Sequence, residues 1–315
     1  MNFFKNEYQS FNDTFVMNYC KIPLDGTFYV PQGVCFINNY AIISCYDYKK
    51  LNNSVLFVCT KDSHKTVYLD GKMHCGGIAY HEKSDSLFVT GVGIDNKSFI
   101  NRYCGKKVID AKDLSTVTVE EIICVDTDNS LYSTAAKHSS PSYLSIYKDN
   151  LYVGNYIDYS LSKKHKGIIK KYKILSDCSL SKSYDTYLNP YSNTQGICIY
   201  EYYGNLYYIF SRSFGRKNNS LLNICTLEEG EFKTKNTIVL PSMLEQVNIH
   251  NNNLAVIFES CARCYSKTCI SNDSYVYLLN LKKLLKINDK KECFYKGSNI
   301  LFRARNVEIT GKLDI

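Results

Sequence analysis

Five stretches of the chain begin alike, and their repetition decides the fold: PQGVCFINNYAIISCYD (residues 31–47), HCGGIAYHEKSDSLFVTG (74–91), PSYLSIYKDNLYVGNY (141–156), TQGICIYEYYGNLYYIFS (194–211) and LEQVNIHNNNLAVIFES (244–260). Each has a polar residue at its start, a short apolar run, a turn rich in Asn, Asp, Gly or Lys, and a second apolar run. This turn chemistry favours a tight hairpin between two strands. Repetition at intervals of roughly 40 to 50 residues is typical of a β-propeller.

Further strand patterns complete the repeats. The third strands read SVLFVC, FINRY, GIIKKYKI, SLLNIC and SYVYLLNL, and fourth strands read TVYLDG, SYDTYLNP and NTIVLPS. Four such strands make one propeller blade. The sequence therefore predicts an all-β fold, a single closed β-propeller of about five blades.

The N-terminus supplies a strand that the last repeat lacks. The stretch YCKIPLDG (residues 19–26) resembles the fourth strands TVYLDG and NTIVLPS, whereas the fifth repeat has no clear fourth strand of its own. We predict that the N-terminal strand completes the last blade, which removes the exposed sheet edges that favour aggregation. The C-terminal extension, residues 290–315, either packs outside the ring or contributes to a sixth blade.

Residues 1–315 are expected to form one propeller domain, with repeat starts near residues 31, 74, 141, 194 and 244. The second repeat is longer than the others, and its extra residues lie near Gly105 to Asp128. The stretch KVIDAKDL in this insertion predicts a short helix, and LNLKKLLKI at Leu279–Ile287 predicts one or two helical turns. No low-complexity linker divides the sequence.

Composition and charge agree with a β-rich chain and indicate no strongly charged partner. The 28 Tyr and 15 Phe favour pleated surfaces, and the absence of Trp argues against WD40 repeats. The net charge of +8 is mild for this length and does not require nucleic acid. Lys163, Lys164, Lys166, Lys170 and Lys171 form a short basic cluster, which is typical of a solvated loop or sheet edge. Nucleic-acid binding through this cluster is the least favoured alternative.

The sequence predicts a cytoplasmic protein without membrane contact. The N-terminus lacks the apolar run of a signal peptide, and no stretch approaches the length of a membrane span. Many of the 14 cysteines lie in apolar strand patterns, including Cys35, Cys59 and Cys198. Free cysteine behaves there as a small buried hydrophobe, so reduced thiols are expected.

Three cysteines form one candidate metal site. Cys261, Cys264 and Cys269 follow the pattern C-x2-C-x4-C, for which Cys293 or His250 would have to be the fourth zinc ligand. In a chain so rich in cysteine, packing is the favoured interpretation. We therefore predict neither a metal nor a cofactor.

The polar residues at the repeat starts form the main candidate site. In a propeller the first strand of each blade lines the central channel, so equivalent positions converge. These positions are Gln32, His74, Ser142 with Tyr143, Gln195, and Glu245 with Gln246. They predict a concave axial pocket with convergent polar groups. The alternative is that they hydrogen-bond neighbouring loops and hold the ring shut, because buried polar groups need partners.

A second polar set follows the second strands of the repeats. It comprises Asp47, Asn155, Asp158, Arg212, Arg216 and Glu259. Guanidinium groups bind carboxylates and phosphates well, so Arg212 and Arg216, within SRSFGRKNNS, form a candidate anion clamp. Pairing of an arginine with Glu259 or Asp47 between blades is the structural alternative.

The repeat starts also resemble a known group of proteins. PQGV with SCYDY and NNSVLFV, HCGGIAY, TQGICIY with SRSFGRKNNSLL, and LEQVNI with LAVIFES together resemble bacterial propellers of the YncE-like and strictosidine-synthase-like type. The resemblance covers roughly residues 30 to 285 and implies the propeller fold. Such propellers include binders, lactonases and lyases, so function has to be argued from the site.

Two functional hypotheses remain open at this point. The first is a binding propeller that takes a small molecule or peptide at the axial pocket. The second is a lyase or hydrolase, in which His74 and Glu245 form an acid–base pair and Arg216 clamps an anion. A structural hydrogen-bonding role is the alternative for His74. The sequence lacks G-x-S-x-G, H-E-x-x-H and P-loop motifs, and it does not predict an oligomeric state.

Overall fold

The computed structural model describes residues 8–92, 98–124, 140–161, 167–286, 294–297 and 300–303. The described chain begins with helix α1 (Gln9–Thr14) and strand β1 (Phe15–Lys21). Blade 1 then contains β2 (Tyr29–Ile37), β3 (Tyr40–Asp47), β4 (Val55–Cys59) and β5 (His64–Leu69). Blade 2 contains β6 (Ile78–His81), β7 (Ser86–Val92), β8 (Ser98–Cys104) and, after an insertion, β10 (Glu121–Cys124).

The insertion in blade 2 contains helix α2 (Gly105–Asp110) and strand β9 (Ser115–Val117). The predicted short helix is therefore present, although it begins at Gly105 and ends at Asp110, before the AKDL of KVIDAKDL. Strand β9 pairs in parallel with β5 and adds a fifth strand to blade 1. Residues 125–139, which include the end of the predicted insertion, lie outside the described residues.

The remaining blades follow in chain order. Blade 3 contains β11 (Pro141–Tyr147), β12 (Asn150–Asn155), β13 (Gly167–Ile174) and β14 (Leu180–Asn189). Blade 4 contains β15 (Thr194–Tyr202), β16 (Asn205–Arg212), β17 (Ser220–Glu228) and β18 (Glu231–Leu240). Blade 5 contains β19 (Leu244–His250), β20 (Asn253–Phe258) and β21 (Tyr275–Asn280), followed by helix α3 (Leu281–Lys286).

The N-terminal strand closes the ring, as the sequence predicts. Strand β1 pairs antiparallel with β21, so that blade 5 has the order β1-β21-β20-β19. The protein is a five-bladed β-propeller with the first strand of each blade, namely β2, β6, β11, β15 or β19, next to the central channel. Strands β22 (Phe294–Gly297) and β23 (Ile300–Arg303) form a separate hairpin, and neither pairs with a blade within the described residues.

Apolar side chains between neighbouring blades hold the ring together. Each core cluster of the described residues joins two adjacent blades, for example Leu222 of blade 4 with Leu254 of blade 5. Phe210 and Phe232 pack edge to face with centroids 5.1 Å apart, and Tyr191 packs on Phe210 at 5.3 Å. Phe210 and Phe232 belong to blade 4 and Tyr191 to the segment that joins blades 3 and 4, so burial of these aromatic faces stabilises the cluster that both blades share.

Two lysines of the predicted basic cluster are described, and both have partners within blade 3. The ammonium group of Lys170 lies 4.5 Å from the centroid of the Tyr184 ring. Lys171 pairs with Asp185 at 3.1 Å. Lys163, Lys164 and Lys166 lie outside the described residues. The helices within the described part of the chain are too short and polar to span a bilayer.

Candidate functional site: the axial cavity

A shift in strand pairing recurs at the start of four inner strands. The register with the second strand shifts between Pro31 and Gly33, Pro141 and Tyr143, Thr194 and Gly196, and Leu244 and Val247. The residues in these shifts are the polar repeat starts Gln32, Ser142, Gln195, and Glu245 with Gln246. A bulge re-aims a side chain relative to the regular alternation of a strand. The shifts thus explain why equivalent polar residues can face one axis.

Glycines allow the inner strands to approach closely at the same level. A Cβ atom on Gly77 would lie 2.7 Å from the Cα of Tyr143, and one on Gly196 would lie 2.8 Å from the Cα of Gln246. Backbone atoms cannot move aside as a flexible side chain can, so these positions require glycine. The QG and GG dipeptides of the repeats therefore reflect the narrowness of the ring.

The axial cavity lies where the inner strands begin and has a volume of about 310 Å³. Its walls are Gln32, His74, Gly76, Ser140, Ser142, Tyr156, Gln195 and Glu245. The structure thus brings Gln32, His74, Gln195 and Glu245 together, as sequence reasoning expected of the repeat starts. It also adds Tyr156, which that reasoning missed. Tyr156 directly follows the second strand of blade 3, just as Glu259 directly follows the second strand of blade 5. This shared position in the repeat could have identified Tyr156 from the sequence.

Two carboxyl groups meet at this cavity. Because β19 and β20 are antiparallel, Glu245 at the start of β19 lies beside Glu259, just after β20. The two side chains lie within hydrogen-bonding reach of each other, and Glu245 is only 3% exposed. Burial, together with the neighbouring Glu259, raises the pKa of Glu245 well above its usual value. Two acids in such contact share a proton, since both cannot ionise easily.

Burial also raises the pKa of the neighbouring Glu259. Desolvation raises the pKa of Glu259 to about 7, against the opposing effects of Gln32, Glu245 and the charge of Arg216. The Nε2 of Gln32 donates to Oε2 of Glu259 at 3.0 Å and to the carbonyl of Pro31 at 3.0 Å. Gln32 therefore connects blade 1 to the carboxyl pair of blade 5.

His74 is uncharged at neutral pH. Its ring is open to the cavity, with its centroid 4.6 Å from that of Tyr46. Desolvation by the surrounding protein, with a smaller effect of Lys50, lowers the pKa of His74 to about 4. The neutral imidazole has one nitrogen that donates and one that accepts a hydrogen bond.

Gln246 holds the ring together beneath the axial cavity. Its Oε1 accepts from the backbone N–H of Ile78 at 2.8 Å, and its Nε2 donates to the carbonyls of Ile78 at 2.6 Å and Leu144 at 3.0 Å. The side chain, which is fully buried, thus connects blade 5 to blades 2 and 3. For Gln246 the structure shows the ring-closing interactions of the structural alternative.

Two other candidates are engaged within blade 3. The hydroxyl of Tyr143 accepts from Nδ2 of Asn189 at 2.9 Å, and the ring is fully buried. The Oδ1 of Asn155 accepts from the backbone N–H of Ile168 at 2.7 Å. Neither residue lines the axial cavity within the described part of the chain.

Asp47 organises the loop between β3 and β4. Its carboxylate accepts from the backbone N–H groups of Lys49, Leu51 and Asn52 at 2.9, 3.0 and 2.8 Å. Burial opposes ionisation, but these hydrogen bonds lower the pKa of Asp47 below its usual value. The carboxylate is occupied by its own loop.

Arg212, at the end of β16, is bound by neighbouring protein groups. Its Nε donates to the carbonyl of Ser192 at 3.0 Å, and its guanidinium lies 4.8 Å from the centroid of the Tyr191 ring. A further hydrogen bond joins Nη1 to Oδ1 of Asn223 at 3.3 Å. These contacts fix Arg212 between β17 and the segment that joins blades 3 and 4.

Arg216 lies on the exposed loop between β16 and β17. Its Nη1 donates to Oγ1 of Thr268 at 3.2 Å, and its guanidinium lies 4.8 Å from the centroid of the Tyr265 ring. Its charge lowers the pKa of Glu259, so it acts on the carboxyl pair from the rim. It is not among the described residues that line the cavity.

The three clustered cysteines do not assemble a metal site within the described residues. Cys261 donates to the carbonyl of Phe258 at 3.5 Å, and Sγ of Cys269 contacts Sδ of Met243 at 2.9 Å. No group of three metal-ligating side chains occurs in the described part of the chain. Cys293, the suggested fourth ligand, lies outside it, and His250 stacks on Phe36 with centroids 3.9 Å apart.

A second cavity, the opposite cavity, lies toward the far ends of the inner strands and has a volume of about 320 Å³. Its walls are Phe36, Asn38, Tyr80, Glu82, Ser145, Ile146, Cys198, Ile199, Asn248 and Ile249. All five blades contribute to it. The central channel thus has a cavity toward each end, with the Gln246 side chain between them.

Solved propeller enzymes are similar to this chain in fold. A thermostable family-43 glycoside hydrolase matches with a TM-score of 0.51 and 11% identity, over 94% of this chain and 98% of that one. The GH43_1 enzyme from Xanthomonas citri, solved with xylose, matches with a TM-score of 0.51 and 8% identity, over 87% and 92%. At these identities the likeness shows the fold alone.

A chain of Kuenenia stuttgartiensis hydrazine synthase is also similar, with a TM-score of 0.41 and 11% identity over 75% of this chain. This chain spans only 56% of that protein's chain. No family model and no curated protein sequence matches the chain.

Proposed function

We propose that this propeller binds a small polar ligand in the axial cavity. One observation carries the proposal: four bulged inner strands and the His74 segment direct polar side chains into a single cavity, and one of them, Glu245, shares a proton with the adjacent Glu259. A volume of about 310 Å³ lies at the lower end of the range for small-molecule pockets. A peptide could enter such a cavity only with a single side chain.

Gln195 separates the binding hypothesis from the structural alternative. Gln246 of blade 5, one position further along its repeat than the equivalent of Gln195, makes three hydrogen bonds across the ring. The Gln195 side chain lines the axial cavity and makes no hydrogen bond within the described residues. A polar amide that faces a cavity without a protein partner supports a ligand-binding role.

We also propose that the protein is cytoplasmic and that it is related to YncE-like propellers. The cysteines with described side chains are free thiols, which suits a reducing compartment. The resemblance of the repeat starts to YncE-like and strictosidine-synthase-like propellers is compatible with binding as well as with catalysis. Neither point decides the ligand.

A hydrolase or lyase is the second candidate, favoured by the protonation states of two side chains. Glu245 retains a proton at neutral pH, whereas His74 is neutral and can accept one. The carboxyl groups of glycoside hydrolases are about 5 to 9.5 Å apart. Glu245 and Glu259 are within hydrogen-bonding reach, so they would act as one unit, with His74 as the other group.

A ligand screen by thermal unfolding tests the proposal. The library contains neutral sugars, polyols, amino acids, amines and dicarboxylates, and a compound that binds only the folded state raises the Tm. We expect a hit that persists in Asn248→Ala, in the opposite cavity, and disappears in Gln195→Ala. Absence of any hit, or a hit that persists in Gln195→Ala and Ser142→Ala alike, contradicts binding at the axial cavity. Conversion of the hit compound, followed by mass spectrometry, decides between binding and catalysis.

A further inference from the structure

The carboxyl pair has no buried positive partner in the described structure. Glu245 accepts no hydrogen bond from an N–H group of a described residue, and its only described partner is Glu259. Glu259 accepts one bond, from the neutral amide of Gln32. An ionised carboxylate in such a place is normally compensated by a cation or by several donors.

The groups that face the pair from neighbouring elements do not supply this charge. They are His74 before β6, Tyr46 in β3, Tyr156 after β12, Arg216 between β16 and β17, and Cys264, Tyr265 and Cys269 after β20. Arg216 is the one cation in this set of described residues, and it is exposed and bound to Thr268 and Tyr265. His74 is neutral because desolvation lowers its pKa to about 4.

The other walls of the axial cavity suit an ammonium group. Gln195 offers an amide oxygen, and Ser142 and Tyr156 offer hydroxyl oxygens. The aromatic ring of Tyr156 adds a face that attracts cations when suitably oriented. A ligand carboxylate or phosphate would instead meet Glu245 at the cavity wall, with Glu259 in contact with it.

We propose that the axial cavity binds the protonated amine of a small ligand at Glu245 and Glu259, where it replaces one of the protons that the two carboxyl groups carry. This inference rests on the proposed function, and it names the ligand class. Near pH 6, below the pKa of about 7 of Glu259, the pair of the free protein carries close to two protons. When the ammonium group binds, one of these protons passes to the solvent and the other remains between the carboxyl groups, so about one proton is released for each ligand bound.

Three compounds of equal chain length test the inference. Putrescine carries ammonium groups, butanediol carries hydroxyl groups and succinate carries carboxylates. Isothermal titration calorimetry in two buffers of different ionisation enthalpy measures both affinity and proton release. We expect putrescine to bind with release of about one proton near pH 6, and to bind more tightly as the pH rises toward about 8.

Isosteric variants identify the site. Glu245→Gln and Glu259→Gln keep the shape and remove one acid each, and we expect each to weaken putrescine at least about tenfold. Asn248→Ala, in the opposite cavity, should bind as the wild type does. Because Glu245 is mainly protonated in the folded protein, the neutral amide that Glu245→Gln introduces should be compatible with folding, which circular dichroism checks.

Each outcome decides the inference separately from the proposed function. Proton-releasing putrescine binding that is weakened in both Glu variants supports it. Equal binding of butanediol, or preference for succinate, overturns it while leaving a ligand site in the axial cavity. Failure of putrescine to bind also overturns it, and the wider thermal screen then shows whether the cavity binds any ligand at all.

Discussion

The two cavities of the central channel have nearly the same volume, about 310 and about 320 Å³, but their walls differ. The axial cavity presents a carboxyl, two amides, an imidazole and hydroxyl groups. The opposite cavity combines the apolar side chains of Phe36, Ile146, Ile199 and Ile249 with the polar ones of Asn38, Glu82, Ser145 and Asn248. The contrast is therefore one of kind: the axial cavity has an imidazole and a carboxyl group that contacts a second carboxyl group, whereas the opposite cavity has the single acid Glu82. The same five inner strands build both cavities, so the difference cannot come from the topology of the ring.

The difference comes from strand register. All four pairing shifts of the inner strands lie at the axial end, whereas β2 pairs with β3 regularly from Gly33 to Ile37, and β19 pairs with β20 regularly from Val247 to His250. In the regular parts, side chains alternate between the two faces of the blade. The bulges interrupt this alternation and direct polar side chains to the axis. One local irregularity, repeated in several blades, thus makes one end of the channel chemically distinct.

The largest expected effect is a difference in stability between variants of two glutamines at the axial end, Gln246 and Gln195. Gln246→Leu leaves the N–H and carbonyl of Ile78 and the carbonyl of Leu144 without their buried partner, which should lower the free energy of unfolding by at least about 2 kcal/mol. Gln195→Ala removes a side chain with no described partner and should change it by less than about 0.5 kcal/mol. Urea unfolding measures both. Equal losses would show that the two glutamines share one structural role.

A smaller effect is expected in the pH dependence of stability. Burial raises the pKa of Glu259 to about 7 and that of Glu245 well above its usual value, so the folded state holds more protons than the unfolded state. From about pH 4.5 to about pH 7 this pair therefore makes stability fall as pH rises. In the Glu245→Gln, Glu259→Gln double variant, the fall in the free energy of unfolding over this pH range should be smaller than in the wild type by at least about 1 kcal/mol.

Comparison with the opposite cavity isolates the contribution of the pair. Asp47 and other acids whose pKa is lowered give the reverse pH trend, but they are present in both proteins and cancel in the difference. Asn248→Ala should retain the wild-type pH profile, since it leaves the carboxyl pair intact. Unfolding curves at several pH values measure the profiles. Identical profiles for the double variant and wild type would mean that the two carboxyls do not share a proton.

The blades could be predicted from the sequence because their signals are local. Hairpin turns such as Asn38–Asn39, alternating apolar runs and the spacing of the repeats identify strands one pair at a time. The closing strand β1 was identifiable because it resembles the fourth strands of other blades. Even the short helix of the insertion has a local pattern, although its start at Gly105 differs from the prediction.

The site was only partly predictable, because its geometry depends on contacts between blades. Gln195 in TQGICI and Gln246 in LEQVNI look alike in sequence, yet one lines the cavity and the other connects three blades. Their roles differ because the shift in blade 5 spans two residues instead of one. The contact of Glu245 with Glu259 likewise follows from antiparallel pairing and burial, neither of which is visible in residue types alone.

The smallest expected effect concerns the turns at the opposite end of the blades. The two-residue loops Tyr203–Gly204 and Asn251–Asn252 both have positive φ at both positions, with φ of 48° at Tyr203 and 47° at Asn251. Asparagine tolerates this left-handed backbone better than a bulky aromatic residue does. Tyr203→Asn should therefore raise the free energy of unfolding by about 0.5 kcal/mol, and Asn251→Tyr should lower it by a similar amount.

The environment of Tyr203 determines what an opposite result would mean. Its side chain is 86% exposed, and its ring centroid lies 4.3 Å from that of Tyr202. Because little of the ring's surface is buried, removing the ring should destabilise the fold by less than the relief of backbone strain stabilises it. Thermal unfolding of both variants measures the balance. If Tyr203→Asn lowers the Tm, the contact with Tyr202 stabilises the turn by more than the backbone strain destabilises it. The exposed aromatic rings beside the opposite cavity would then contribute to stability despite their exposure.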